Sequence, residues 1–116
     1  MLLPNELKTL SQTLERLTLA QLTTQRAVAE GERDLAELQK VVVARAYSDE
    51  TITGTNTDIR KVQEAQVVAE SAEVCAARER VATLNRELDA LQAQVAGVEA
   101  EIGLTRAWLY SQARIG

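Results

Sequence analysis

The side chains best suited to chemistry are few. There is no histidine among the 116 residues, and Cys75 is the one cysteine. Without histidine the commonest general base is gone, and with it the His-containing triads, most zinc sites and the helical di-iron sites built on Glu-x-x-His. Cys75 has no partner for an intramolecular disulfide. It stands beside Ala76 and Ala77, one residue off an apolar stripe, and reads as a small apolar filler rather than a reactive thiol. The carboxylates Glu30, Glu32, Asp34 and Glu37 form a run. Such a run can imitate nucleic acid and block a nuclease, but a net charge of −4 is small for that role, and a solvated helix face is expected. Gly54-Thr55-Asn56 is a turn signal and lacks the pattern of a phosphate-cradling loop. No nucleophile–base pair or metal-ligand cluster emerges, so the expectation is a non-enzyme with no catalytic residues, no metal and no cofactor.

The composition agrees with a binding or structural role. Phenylalanine is absent, and Tyr47, Trp108 and Tyr110 are the only aromatics. A bulky globular core is therefore not expected, whereas the Ala, Leu and Val that dominate suit thin helix–helix seams. The acidic balance argues against a sequence-independent grip on nucleic acid, which needs basic surface to displace counterions. No apolar run approaches the ~18 residues of a membrane span. Met1-Leu2-Leu3 leads into Pro4 rather than into a basic segment and an apolar core, so no signal peptide is expected and a cytoplasmic location is the default.

What must position these side chains is a pair of long helices. The stretch after Asp58 contains no proline, and from Val67 to Leu109 a heptad register runs through thirteen positions, of which only Glu70 and Thr105 are not apolar. In the first half a second register runs from Leu3 through Leu7, Leu10, Leu14 and Leu17, then Val28, Leu35, Leu38 and Val42. It is weakened at Gln21, Thr24 and Gly31 and ends at Arg45. Gly31 costs about 1 kcal/mol relative to alanine in a helix, but the register resumes unshifted at Leu35, so a continuous helix is expected. Between the two patterns, residues 48–57 are small, polar, β-branched or glycine, which reads as a loop. Gly54 can take a positive φ there. Thr55, Asn56 or Thr57 can cap the second helix, with Thr55 and Asp58 spaced as a capping box. Ile52, the one large apolar loop residue, is expected to fold back over the end of the seam.

The spacing therefore predicts an all-α, single-domain antiparallel helical hairpin of coiled-coil type over residues 1–116. Its parts are a helix over about 4–47, a loop over about 48–57 and a helix over about 58–114. Antiparallel pairing must bring a positions opposite d positions. Setting Leu7 against Val98, Leu10 against Val95, Leu14 against Leu91, Val28 against Ala77 and Leu38 against Val67 does so, with the turn centred near Ile52. Leu35 then faces Glu70, which must bend to the rim or meet a polar group from another chain. Arg45 and Arg60 meet at the loop end, where Asp49, Glu50 and Asp58 can neutralise them.

Two surfaces are left over. Small residues off the seam (Leu22, Ala29, Ala36 and Val43 in the first helix, Val68, Ala76, Ala82, Ala90 and Gly97 among others in the second) would let further helices approach, which predicts a homo-oligomer such as a four-helix bundle. In this register no residues of the first helix lie opposite the chain beyond Ile102. Leu104, Trp108, Leu109 and Tyr110 are therefore the expected contact with a second copy or an unidentified protein, unless Met1, Leu2 and Leu3 cover Trp108.

The turn residues Ile52, Gly54, Asn56 and Arg60, followed by Gln66, resemble an Ile-x-Gly-x-Asn turn found in small phage-encoded helical accessory proteins, from which this chain departs at Thr55, where lysine is expected. The resemblance covers about fifteen residues and implies a phage or prophage accessory protein acting in the host cytoplasm, with no activity attached to any residue. The expectation is thus a non-enzymatic helical interaction or scaffolding protein. The alternative is an accessory or inhibitor acting on a nucleic-acid-processing or defence protein.

Overall fold

The computed structural model describes residues 3–115 and is all-α. Three helices follow one another: α1 (Leu3–Ser48), α2 (Thr57–Glu70) and α3 (Ala72–Ile115). Together they form the expected helical hairpin, with α1 as one arm and α2 and α3 as the other. The chain divides into two compact units, Met1–Arg26 with Arg86–Gly116, and Ala27–Asn85. Met1 and Leu2, expected as a cover for Trp108, lie outside the described residues.

The heptad pattern identifies the inward residues well. In the first unit Leu7, Leu10, Leu14 and Leu17 of α1 are withdrawn from solvent, as are Leu88, Leu91, Val95, Val98 and Ile102 of α3. In the second unit Val28, Val42 and Val74 are buried, with Leu35, Leu38, Ala77, Val81 and Leu84 half-buried around them. These thin seams explain how the chain does without phenylalanine. α1 runs through Gly31 unbroken, as the unshifted register required.

The pairing differs from the expected one by a heptad. An added Cβ on Gly31 would stand 3.1 Å from Val81 and 3.9 Å from Leu84, whereas the sequence pairing set Val74 opposite it. In the first unit, likewise, Asn5, Glu6, Thr9 and Leu10 share a groove with Glu101, Leu104 and Thr105. A displacement of seven residues keeps every a position opposite a d position, so the apolar pattern alone cannot distinguish the two pairings. The start of α1 therefore lies beside α3 out to Thr105, three residues further than the sequence pairing placed it.

The second arm is not one helix. It breaks at Ser71, whose ψ of 118° is extended. The seam supplies the reason. Glu70 occupies a d position between Val67 and Val74, and an unpaired carboxylate there would be costly. Ending α2 turns Glu70 to the surface, where it accepts a hydrogen bond from the Gln66 amide at 3.2 Å, while Val74 becomes fully buried. Ser71 serves both helices. Its backbone N–H donates to the Val68 carbonyl, and its hydroxyl accepts from the Val74 N–H at 3.3 Å, which caps the start of α3.

Candidate functional site

The turn is built by Ile52, Gly54, Asn56 and Arg60, singled out for it in the sequence, helped by Glu50 and Gln63. α1 ends with Glu50 at φ 60°, the left-handed region, while the Glu50 and Thr51 N–H groups donate to the Tyr47 and Ala46 carbonyls. This is a Schellman ending with glutamate in the place glycine usually takes. Glycine was expected to supply the positive φ at position 54, but Gly54 does not adopt one. It is needed for space. A Cβ there would stand 2.6 Å from the Ile59 side chain and 3.1 Å from the Arg60 backbone nitrogen.

The close approach lets the Gln63 carboxamide accept hydrogen bonds from the Thr53 N–H at 3.1 Å and the Gly54 N–H at 2.8 Å. Ile52 is buried, as expected of a residue folding back over the seam. Asn56 is the cap of α2 and accepts from the Ile59 N–H at 2.9 Å, so the Thr55–Asp58 spacing is not the capping pair. Arg60 does not meet Arg45. Its Nε donates to the Asn56 carbonyl at 3.4 Å, and Arg45 pairs with Glu73 of α3 at 3.2 Å. Ile52, Gly54, Asn56 and Arg60 therefore all serve the turn itself.

Beside the turn, α1 and α2 leave a groove of about 910 Å³. Ala36, Val43, Ala44, Ala65 and Val68 line it with small apolar groups, and Lys40, Lys61 and Arg78 supply its cations. Tyr47 and Glu64 belong to the same groove, and the Tyr47 hydroxyl donates to the Glu64 carboxylate at 2.5 Å. That hydrogen bond, reinforced by desolvation and the Glu64 charge, holds the Tyr47 phenol above its ordinary 10.0, with Arg60 pulling weakly the other way. Lys40 reaches Glu37 at 3.4 Å on the open surface, while Lys61 and Arg78 make no hydrogen bond or ion pair among the described residues. The sequence pattern offered Ala36, Val43 and Val68 only as a stripe of small residues. The basic flank was hidden because its three cations come from three different helices.

The other expected contact lies in the first unit. Leu104, Trp108 and Tyr110 are 72%, 49% and 69% exposed, whereas Leu109 is half-buried and continues the seam. Leu104 and Leu10 form the apolar part of the groove of about 530 Å³ at this end, with Glu6 and Glu101 as its charged lining residues. The acidic run Glu30, Glu32, Asp34 and Glu37 is exposed throughout. Cys75 is exposed rather than a filler, and its thiol lies 3.7 Å from the Ala69 carbonyl next to the break at Ser71. Among the described residues no group of three His, Cys, Asp or Glu side chains could hold a metal ion, and no helix is long and apolar enough to cross a membrane.

No protein-family model, no curated protein and no solved structure matches this chain.

Proposed function

We propose that this chain is a non-enzymatic helical interaction protein whose first partner is a second copy of itself. One observation carries the reading. The seams of the hairpin are closed, yet Leu104 and Trp108, four residues apart on one face of α3, still stand open, as does Tyr110 on another side, and large apolar neighbours left in water mark a surface that another protein covers. The groove over Ala36, Val43, Ala44, Ala65 and Val68 fits the same reading, since a small apolar lining lets a helix approach closely. The resemblance of the turn to phage-encoded accessory proteins supports a role as an accessory scaffold. The residues that carry it build a shape and bring no activity.

Trp108 is the sole tryptophan, which makes the test direct. In concentrated solution its emission should be blue-shifted and shielded from a soluble quencher, and dilution should move it to the red. An emission that is solvent-like and freely quenched at every concentration would refute the reading.

A further inference from the structure

The two grooves carry opposite charges. In the first unit the groove around Leu10 and Leu104 has Glu6 and Glu101 as its charged residues. In the second, the groove over Ala36, Val43, Ala44, Ala65 and Val68 has three cations, Lys40 (which also reaches Glu37), Lys61 and Arg78, against the single carboxylate Glu64, which accepts a hydrogen bond from the neutral Tyr47 hydroxyl. A basic channel is unexpected on a chain of net charge −4, and its acidic counterpart is supplied by the same sequence.

The shapes match as well as the charges. From Gly97 to Trp108 one exposed face of α3 presents Gly97, Ala100, Glu101, Leu104, Ala107 and Trp108, spaced as on one side of a helix, and Glu101 is the only charge on it. The basic channel is floored by alanines and valines, which let a helix approach closely and leave room for a Leu and a Trp to project. We infer that the basic groove between α1 and α2 is the seat for the α3 end of a second copy. Leu104 and Trp108 lie on the alanine–valine floor, and Glu6 and Glu101 face Lys40, Lys61 and Arg78. Made reciprocally, the contact closes a dimer; made in one direction, it propagates a chain of copies. This inference rests on the self-association proposed above and specifies which surfaces make it.

Charge reversal separates the two ideas. The variants are Lys61→Glu with Arg78→Glu, Glu6→Lys with Glu101→Lys, and all four together, each compared with the native chain by sedimentation equilibrium. Each pair of reversals should weaken association by about tenfold or more, and the quadruple variant should recover most of the loss, because complementary charge fixes register and suppresses wrong pairings. Association of the native chain that ignores both pairs of reversals, or a quadruple variant no better than either pair, overturns the groove assignment and leaves self-association standing. A native chain that is monomeric at all concentrations overturns both.

If a reversal variant loses its helical circular dichroism, carbodiimide crosslinking of mixed isotope-labelled native chains decides instead. Inter-chain links from Glu6 or Glu101 to Lys40 or Lys61 support the assignment. A crosslinked oligomer without them overturns it.

Discussion

Replacing Gly54 by alanine tests whether the turn is held by close approach rather than by backbone freedom. The new Cβ would fall 2.6 Å from the Ile59 side chain, which is half exposed and can swing aside. It would also fall 3.1 Å from the Arg60 nitrogen, which cannot move, because it is the first hydrogen bond of α2, donated to the Asn56 carbonyl at 3.0 Å. The loop must back away instead. That stretches the two bonds to the Gln63 carboxamide, at 2.8 and 3.1 Å. At about 1 kcal/mol each the loss is about 2 kcal/mol, or roughly 8 °C in Tm for a chain of this size.

Gly103→Ala is the control. An added Cβ there meets nothing within 4 Å, so the substitution should gain the helix preference of alanine, about 1 kcal/mol. Thermal melts followed by circular dichroism, all at one protein concentration, should therefore move in opposite directions. Gln63→Ala should cost about as much as Gly54→Ala, and the double variant should cost less than the two together, since both remove the same bonds. A Gly54→Ala melt that matches the native one, or full additivity with Gln63→Ala, would refute the close-approach account.

Three further outcomes follow from particular residues. Glu50→Gly should raise stability by about 1 kcal/mol in denaturant melts, because a non-glycine residue at φ 60° carries that cost; a loss would show that the Glu50 side chain holds the turn. Ser71→Ala should lower stability by about 1 kcal/mol through loss of the cap on Val74, and a gain would mean that the break is not required by the seam. Tyr47 should titrate above 10.0 in a Tyr110→Phe background, read by tyrosinate absorbance, and Glu64→Ala should bring it back toward 10.0. Because the folded value is raised, the stabilisation from Tyr47 is fully present below the ordinary phenol value and is lost as pH rises through the raised one. A titration unchanged by Glu64→Ala would contradict the assigned hydrogen bond.

Which residues face inward was legible because burial in a helix pair follows the 3–4 spacing, and that spacing survives from Leu7 to Val42 and from Val74 to Leu109. Which of them meet was not. Gly31 faces Val81 rather than Val74, and a shift of one heptad changes no a-against-d pairing. The loop could have hinted at the shift. Gln63 clasps Thr53 and Gly54, which ties the start of α2 to the loop. Serine at position 71 is unremarkable in a helical pattern, so the break was visible only as the misplaced carboxylate of Glu70. The basic groove was half visible, as small residues at Ala36, Val43 and Val68. Its charge arises from bringing Lys40, Lys61 and Arg78 together, which no periodicity encodes.

The central claim is that this chain binds a second copy of itself, and solution mass by light scattering over a range of concentrations tests it most directly. The account predicts a mass of at least twice the 12.7 kDa of one chain, falling toward one chain on dilution and largely kept in high salt because apolar contacts at Leu104 and Trp108 carry most of the association. A mass of one chain at every concentration would contradict it, and would leave Leu104, Trp108 and Tyr110 as a surface for a different protein.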